Sequence, residues 1–532
     1  LLIKLLFILL FSVFCTSAFS LTEDQITFKK AYQKALTGDE DAVNLAKIKL
    51  KTYVLKHYLD FALIKSHISQ LPIQEIESFT KDNPDSPLNE TLNNMLAYEL
   101  GKQKRWQDYL KYYQNSQPTS NSHCWYLNAR IETNDIKGLQ FAVQNTWLNG
   151  LSLPKSCDPV FDWFEKQGYL TDDLIEKRFL LAFEVNNSST ARYLASKHTQ
   201  KPEWMDSAIE LIKEPIKTLE LSLKWKNDEK NSFIVYTKAN SMASKHPDTM
   251  YPLWNKLKKH FTFTVGQIEK VDRSIALFAA TDYLPFTIKA MEELPPIKFD
   301  SQIQAWKVRY YLYNNNWHEA LNTLHKMPDF QINKDQWQYW LARASIKTGE
   351  AGNAKRIFAK LAKKTNYYGF LAADHMRMPY NICNQDIASE PIETMPNELN
   401  IAFELFALDM ITEARKEWML GYRKLSNPQR RSLADIAYEK GWYNKVTAIM
   451  GALGLWSNYK LRYPLAYKQE INEIAAKHAV LPQWIMSIIT QESAWQTDAI
   501  SSADARGLMQ IIDPTAKRLS KQLGVNYSGK QQ

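Results

Sequence analysis

Glycine is scarce in this chain, with 16 among 532 residues, less than half the roughly 7% of an average protein. Between Gly168 and Gly349 only Gly266 occurs. Hairpin turns and bulges draw on positive-φ positions that glycine fills most readily, so a sheet-rich protein of this length could not be closed with so few. The expected fold class is all-α, with helices joined by short connections. The length is several times the about 100–150 residues of a typical domain, which predicts several domains or a repeat array. Apolar residues at 45% and charged residues at 23% exclude a disordered chain and a multi-span membrane protein.

The formal charge of +9 is spread along the chain, without a Lys/Arg block of the kind that forms a nucleic-acid arm. A diffuse positive charge serves solubility or attracts an anionic polymer such as an acidic cell-wall glycan. Leu1 to Phe14 is almost entirely apolar with one cation, Lys4, and ends in Cys15-Thr16-Ser17-Ala18 before the polar Thr22-Glu23-Asp24. This pattern predicts a secretory signal peptide over residues 1–20, with Ala18 and Ser20 as the small residues before the cut. The run is short for a bilayer span, so no stable membrane insertion is expected once the signal is removed. Export permits disulfides. Cys124 and Cys157 lie 33 residues apart, a spacing that could tie neighbouring helical hairpins, the alternative being independent buried thiols; Cys383 stands alone. Cys-x-x-Cys, His-Glu-x-x-His, glycine-rich dinucleotide and phosphate-loop patterns do not occur, so no metal or cofactor is implied.

Residues 21–378 have the texture of successive helical hairpins. Trp306 and Trp340, Arg309 and Arg343, Ala320 and Ala354, and Leu324 and Phe358 repeat at an offset of 34 residues, the length of one tetratricopeptide-type helix pair. The fit to that consensus is poor, and the region is expected to be an α-solenoid of no named repeat family, whose curved surface suits an extended partner. Pro379, Pro391 and Pro396 mark a connection that cannot be continuously helical. A linker and small helical domain is expected over 379–458, and a last domain over 459–532.

The last domain carries the chemistry. Tyr467, Ile471, Ile474, Ala475 and His478 predict one amphipathic helix stopping near Val480, and Leu481-Pro482 predicts the start of another. On the second, Ile485, Ile488 and Ile489 form the apolar stripe, and Glu492 follows Ile488 by four residues. The spacing places its carboxylate on the buried face, where desolvation favours the protonated acid; the alternative is a Glu at the helix end that reaches water.

The strings Gln491-Glu492-Ser493-Ala494-Trp495 and Gly507-Leu508-Met509-Gln510, with a polar loop between them, resemble the paired signature of the soluble lytic murein transglycosylases. Tyr463-Pro464-Leu465-Ala466-Tyr467, the stretch Asn366 to Asp374, and Glu413-Ala414-Arg415-Lys416-Glu417-Trp418 are similar to the same family. The resemblance implies an α-superhelical ring, a small linker domain and a lysozyme-like catalytic domain in a periplasmic enzyme that acts on peptidoglycan glycan strands, with no nucleic acid involved. It also implies that Glu492 is the catalytic acid and base, that Ser493 contacts sugar or catalyst, and that Met509 and Gln510 line the glycan groove. One carboxylate suffices because the muramic acid carries its own nucleophile, the 6-hydroxyl, which closes a 1,6-anhydro ring.

Two rivals are a hydrolytic lysozyme-type glycosidase, which would want a second carboxylate from Asp498, Asp504 or Asp513, and a non-catalytic glycan- or protein-binding scaffold. Asp513-Pro514 looks more like a helix cap with proline at the first helical position. Only 22 residues follow Gln510, and the family's later Ala-Tyr-Asn-Ala-Gly-like motif does not occur. The sequence therefore resembles a C-terminally truncated member, and the polypeptide ending at Gln532 is expected to be nearly inactive.

Overall fold

The computed structural model describes residues 21–113, 120–296, 300–382, 388–527 and 529. The expected signal peptide and Cys383 lie outside them. The described residues form helices from Glu23 to Leu523 and no strand; two isolated bridges, Ile500 to Arg506 and Arg506 to Ile511, occupy one loop. The chain is all-α.

Two compact units make up the molecule, one from Leu100 to Asn381 and the other from the N-terminal residues to Glu99 together with Ile382 to the end. In the first, hairpins stack in sequence order. The 34-residue offset corresponds to real elements, since helices Ser301–Tyr313 and Asp335–Lys347 start 34 residues apart, as do Trp317–His325 and Ala351–Leu361. Ala320 and Ala354 are fully buried, and Leu324 and Phe358 are buried beside them. Equivalent positions keep their size, small at Ala320 and Ala354 and large at Leu324 and Phe358, because each hairpin must accept the next at close range. Cys124 and Cys157 are joined by a disulfide with Cα atoms 4.8 Å apart, linking helix Asn121–Glu132 to the turn before helix Asp158–Lys166.

The second unit contains the helices at both ends of the chain. Asn397–Ala407, Ile411–Arg423, Asn427–Glu439 and Tyr443–Ala452 form the small helical region. The N-terminal helices pack with them through polar contacts. Gln25 Nε2 donates to Glu404 Oε2 at 3.0 Å, the Tyr53 hydroxyl donates to the same oxygen at 2.7 Å, and the Tyr58 hydroxyl donates to Glu417 Oε1 at 2.8 Å. Residues 21–99, which the sequence places with the solenoid, thus share a unit with residues beyond 382. Gly441, at φ 76°, makes the tight turn that delivers Trp442 into a cluster with Phe403, Phe406 and Trp418.

Candidate active site

Glu492 lies in the last turn of the helix Pro482–Ser493. Leu481 is extended at φ −73° and ψ 126°, and Pro482 enters at the first turn, where its missing N–H has no intrahelical role. The preceding helix, Lys468–Lys477, ends three residues short of Val480. Together they bury a small cluster of Ala466, Ile471, Ile489 and Trp495, with Ile485, Met486 and Leu508 packed against it.

The helix stops abruptly. Ala494 and Trp495 both adopt left-handed backbone, at φ 48° and 69°, a conformation that disfavours residues bearing a Cβ by roughly 1–2 kcal/mol each. Burial of the Trp495 ring, 3% exposed, and a hydrogen bond from Thr447 Oγ1 to the Ala494 carbonyl at 3.2 Å hold the turn. The chain reverses directly after the turn that carries Glu492.

Glu492 is exposed, which corrects the expectation of a carboxylate on the buried face. The apolar stripe is centred on Ile489, the one buried residue of this helix, while Ile485 and Ile488 are only half-buried. Glu492 therefore reaches water, and among the described residues its carboxylate has no hydrogen-bond or ion partner. Ser493 donates its hydroxyl proton to the Ile489 carbonyl at 3.1 Å, leaving its lone pairs available.

The loop that follows is closed on itself. Gly507 N donates to the Ala499 carbonyl at 2.9 Å, and Arg506 and Ile511 exchange backbone hydrogen bonds of 3.1 and 3.0 Å. Gly507 sits at φ 71°, a turn position that explains the glycine of the Gly507-Leu508-Met509-Gln510 string. Gln510 Nε2 donates to the Ala499 and Gly507 carbonyls at 3.1 and 3.0 Å, so its amide nitrogen staples the loop. Met509 is 38% exposed.

The nearby aspartates are all occupied. Arg415 grips Asp498 with both terminal nitrogens, one at 2.8 Å, and this hydrogen bonding holds the Asp498 carboxyl below the usual range. Asp504 accepts from Arg506 Nε and Nη2 at 3.0 and 2.6 Å. Asp513 is the first residue of helix Asp513–Leu523 and not its cap; it pairs with Lys517 at 2.7 Å and accepts from Tyr527. The helix begins one residue earlier than a cap at Asp513 would require, because Ile512 takes the extended cap conformation. Arg415 belongs to a string already noted in the sequence, yet its tie to Asp498 spans 83 residues, and nothing local announces it.

Comparison with known proteins shows what the chain is similar to. The family model for the "Transglycosylase SLT domain" matches residues 469–532, and that for the "Soluble lytic murein transglycosylase L domain" matches residues 395–458. A soluble lytic murein transglycosylase from Escherichia coli K12 is 24% identical over 512 residues, 95% of this chain and 79% of that protein. The chain is thus similar to soluble lytic murein transglycosylases over nearly its whole length. A Salmonella typhimurium member is likewise 24% identical, over 96% of this chain and 80% of its own length. Among solved structures of the family, the 70 kDa soluble lytic transglycosylase of E. coli superposes with a TM-score of 0.79 at 23% identity, covering 96% of this chain and 84% of that one. The lytic transglycosylase Slt of Pseudomonas aeruginosa, solved as an inactive mutant in which Glu is replaced by Gln, gives 0.75 at 24% identity, covering 95% and 83%. These likenesses establish the shared fold.

Proposed function

We propose that this protein is a lytic transglycosylase that cleaves the β-1,4 bond between N-acetylmuramic acid and N-acetylglucosamine in peptidoglycan, with Glu492 as acid and then base. Similarity to this family supports the reaction class, and the single observation that carries the residue assignment is the division of labour among the carboxylates. Asp498, Asp504 and Asp513 are each committed to a cation. Glu492 alone is unpaired among the four. A hydrolytic mechanism needs a second free carboxylate to activate water, and none of these three is free.

Glu492 as acid protonates the glycosidic oxygen, and the N-acetyl group of the substrate supports the developing oxocarbenium carbon. Glu492 as base then accepts the proton of the muramic 6-hydroxyl as that oxygen attacks, forming the 1,6-anhydro ring. A glycan strand lying across this exposed carboxylate would exclude bulk water from the reacting atoms. Ser493, with its proton directed to Ile489, offers an acceptor to a sugar hydroxyl. Met509 lines the groove, and Gln510 keeps the loop closed beneath it while presenting its carbonyl oxygen.

The place of action consistent with this substrate is the periplasm, reached through the signal peptide expected over residues 1–20. No helix among the described residues is long and apolar enough to cross a membrane. Digestion of purified peptidoglycan by a version extended to the full length of its relatives, followed by mass spectrometry, tests the reaction: 1,6-anhydromuramoyl ends are expected, one water lighter than hydrolysed ends. Reducing muramic acid as the main product would return the assignment to a hydrolase.

A further inference from the structure

A second site lies far along the sequence from Glu492, within the unit Leu100–Asn381. Helices Leu139–Trp147, Asp158–Lys166, Asp172–Glu184 and Ser188–Lys197 enclose a cavity of about 580 Å³. Arg178 lines it and is only 5% exposed. Its Nε donates to the Asn149 carbonyl at 3.1 Å, and its guanidinium carbon lies 4.1 Å from the centre of the Trp147 ring. Among the described residues no carboxylate pairs with it, and its two terminal nitrogens have no hydrogen-bond partner. Trp147, also on the cavity wall, has a buried indole N–H with no acceptor.

The terminal nitrogens of Arg178 are not among the fully buried unpartnered atoms, so this nearly buried guanidinium, stacked on Trp147 and Phe161, presents its free donors to the cavity. The guanidinium fork matches the two oxygens of a carboxylate. Ser152 and Thr190, whose hydroxyls are 3.1 Å apart, add adaptable donors on the same wall. Asp158 and Asp162 also line the cavity and are exposed; Lys197 acts on Asp162 electrostatically, and among the described residues neither carboxylate forms a close salt bridge. Glu165 is already paired with Lys197 at 2.9 Å. Donors at the buried wall and free carboxylates at the exposed one suit a ligand with one charge of each sign.

We propose that this cavity binds the zwitterionic end of a small peptide, with the carboxylate on Arg178 and the ammonium toward Asp158 and its neighbour Asp162. The site does not depend on the glycan-cleaving reading. Its ligand could be supplied as a free short peptide or as the peptide of a wall fragment, and the two sources share the same chemistry.

Isothermal titration of the full chain with alanyl-alanine, its N-acetyl form, its C-terminal amide and a soluble muropeptide tests the proposal. The dipeptide should bind, and each blocked form should bind at least tenfold more weakly. Arg178→Met should lose at least tenfold in affinity. Asp158→Asn with Asp162→Asn, exposed changes that leave the fold alone, should erase the preference over the N-acetyl form. Should the Arg178 variant fail to fold by circular dichroism, the aspartate pair decides. A muropeptide bound more tightly than the dipeptide assigns the site to wall fragments, and equal binding assigns it to free peptides. Absence of binding by both, equal binding of the N-acetyl form, or unchanged affinity in the folded variants would overturn the proposal.

Discussion

The unit Leu100–Asn381 and the unit that carries Glu492 are both built from helical hairpins, but different contacts hold them. In the first, each hairpin buries apolar side chains against the next, and the cluster around Phe358, Leu361 and Ala342 is typical. The second joins segments hundreds of residues apart through polar pairs, such as Tyr58 with Glu417, and leaves the Glu492 carboxylate without a partner among the described residues. Apolar stacking of neighbours distributes stability along the chain. Polar pairing of distant segments makes stability depend on protonation and leaves room for a reactive group, because a group that is not a structural partner is free for chemistry.

Glu492→Gln gives the sharpest test of that division. Tested in a version extended to the full length of its relatives, the amide preserves shape but cannot donate and recover a proton, so glycan cleavage should fall by at least the ~10²–10⁴ attributed to general acid–base catalysis. As an exposed residue without partners, it should leave unfolding in urea within about 0.5 kcal/mol of the parent. A variant that keeps a tenth of the activity would remove Glu492 from the acid–base role, and one that unfolds would make it a structural residue.

The converse holds in the stacked hairpins. Phe358 is 2% exposed and its ring lies 4.8 Å from that of His375. Phe358→Ala should cost about 3–5 kcal/mol, read as early hydrogen exchange across helix Ala351–Leu361. Exchange unchanged from the parent would mean that the stack does not rely on this contact. The disulfide of the same unit closes a shorter loop of chain, and replacing Cys124 and Cys157 by Ala should destabilise by roughly 3 kcal/mol in the chain-entropy model. Labelling of both thiols in the unreduced native protein would contradict the bond.

What the sequence made readable follows the same line. Local patterns carried the helices: the 34-residue offset marked real hairpins, and Pro482 began its helix where expected, because caps and apolar periodicity are decided by a few neighbouring residues. The ordered strings around Glu492 and Gly507 located the candidate site. The exposure of Glu492 was not readable, since helical spacing says which residues share a face but not whether a neighbour covers it. Long-range polar ties were also silent. Gln25, Tyr53 and Tyr58 look like ordinary surface-capable residues, and their carboxylate partners at Glu404 and Glu417 come more than 300 positions later.

Glu417 gives the comparison a pH axis. It is 2% exposed, and burial pushes its carboxyl up to about 7, with Glu398 acting in the same direction and the Tyr58 hydrogen bond against it. The Tyr58 phenol is pushed up as well, by burial and by Glu417, with smaller contributions from Glu413 and Tyr32. In the unfolded chain Glu417 returns to the ordinary value of about 4.3. Below that value both states hold the proton and the buried acid contributes fully. As the pH rises from about 4.5 to 7 the unfolded chain releases its proton first, so stability falls across this window and levels off above it. Glu417→Gln keeps an acceptor for Tyr58 and never ionises. The variant should match the parent near pH 4.5 and exceed it at pH 7.5 by roughly 1–3 kcal/mol, measured as the difference between urea midpoints so that other titrating groups cancel. Parallel stability curves for the two proteins would show that Glu417 is not protonated in the fold, and the polar tie between the chain's two ends would then be an ionic one.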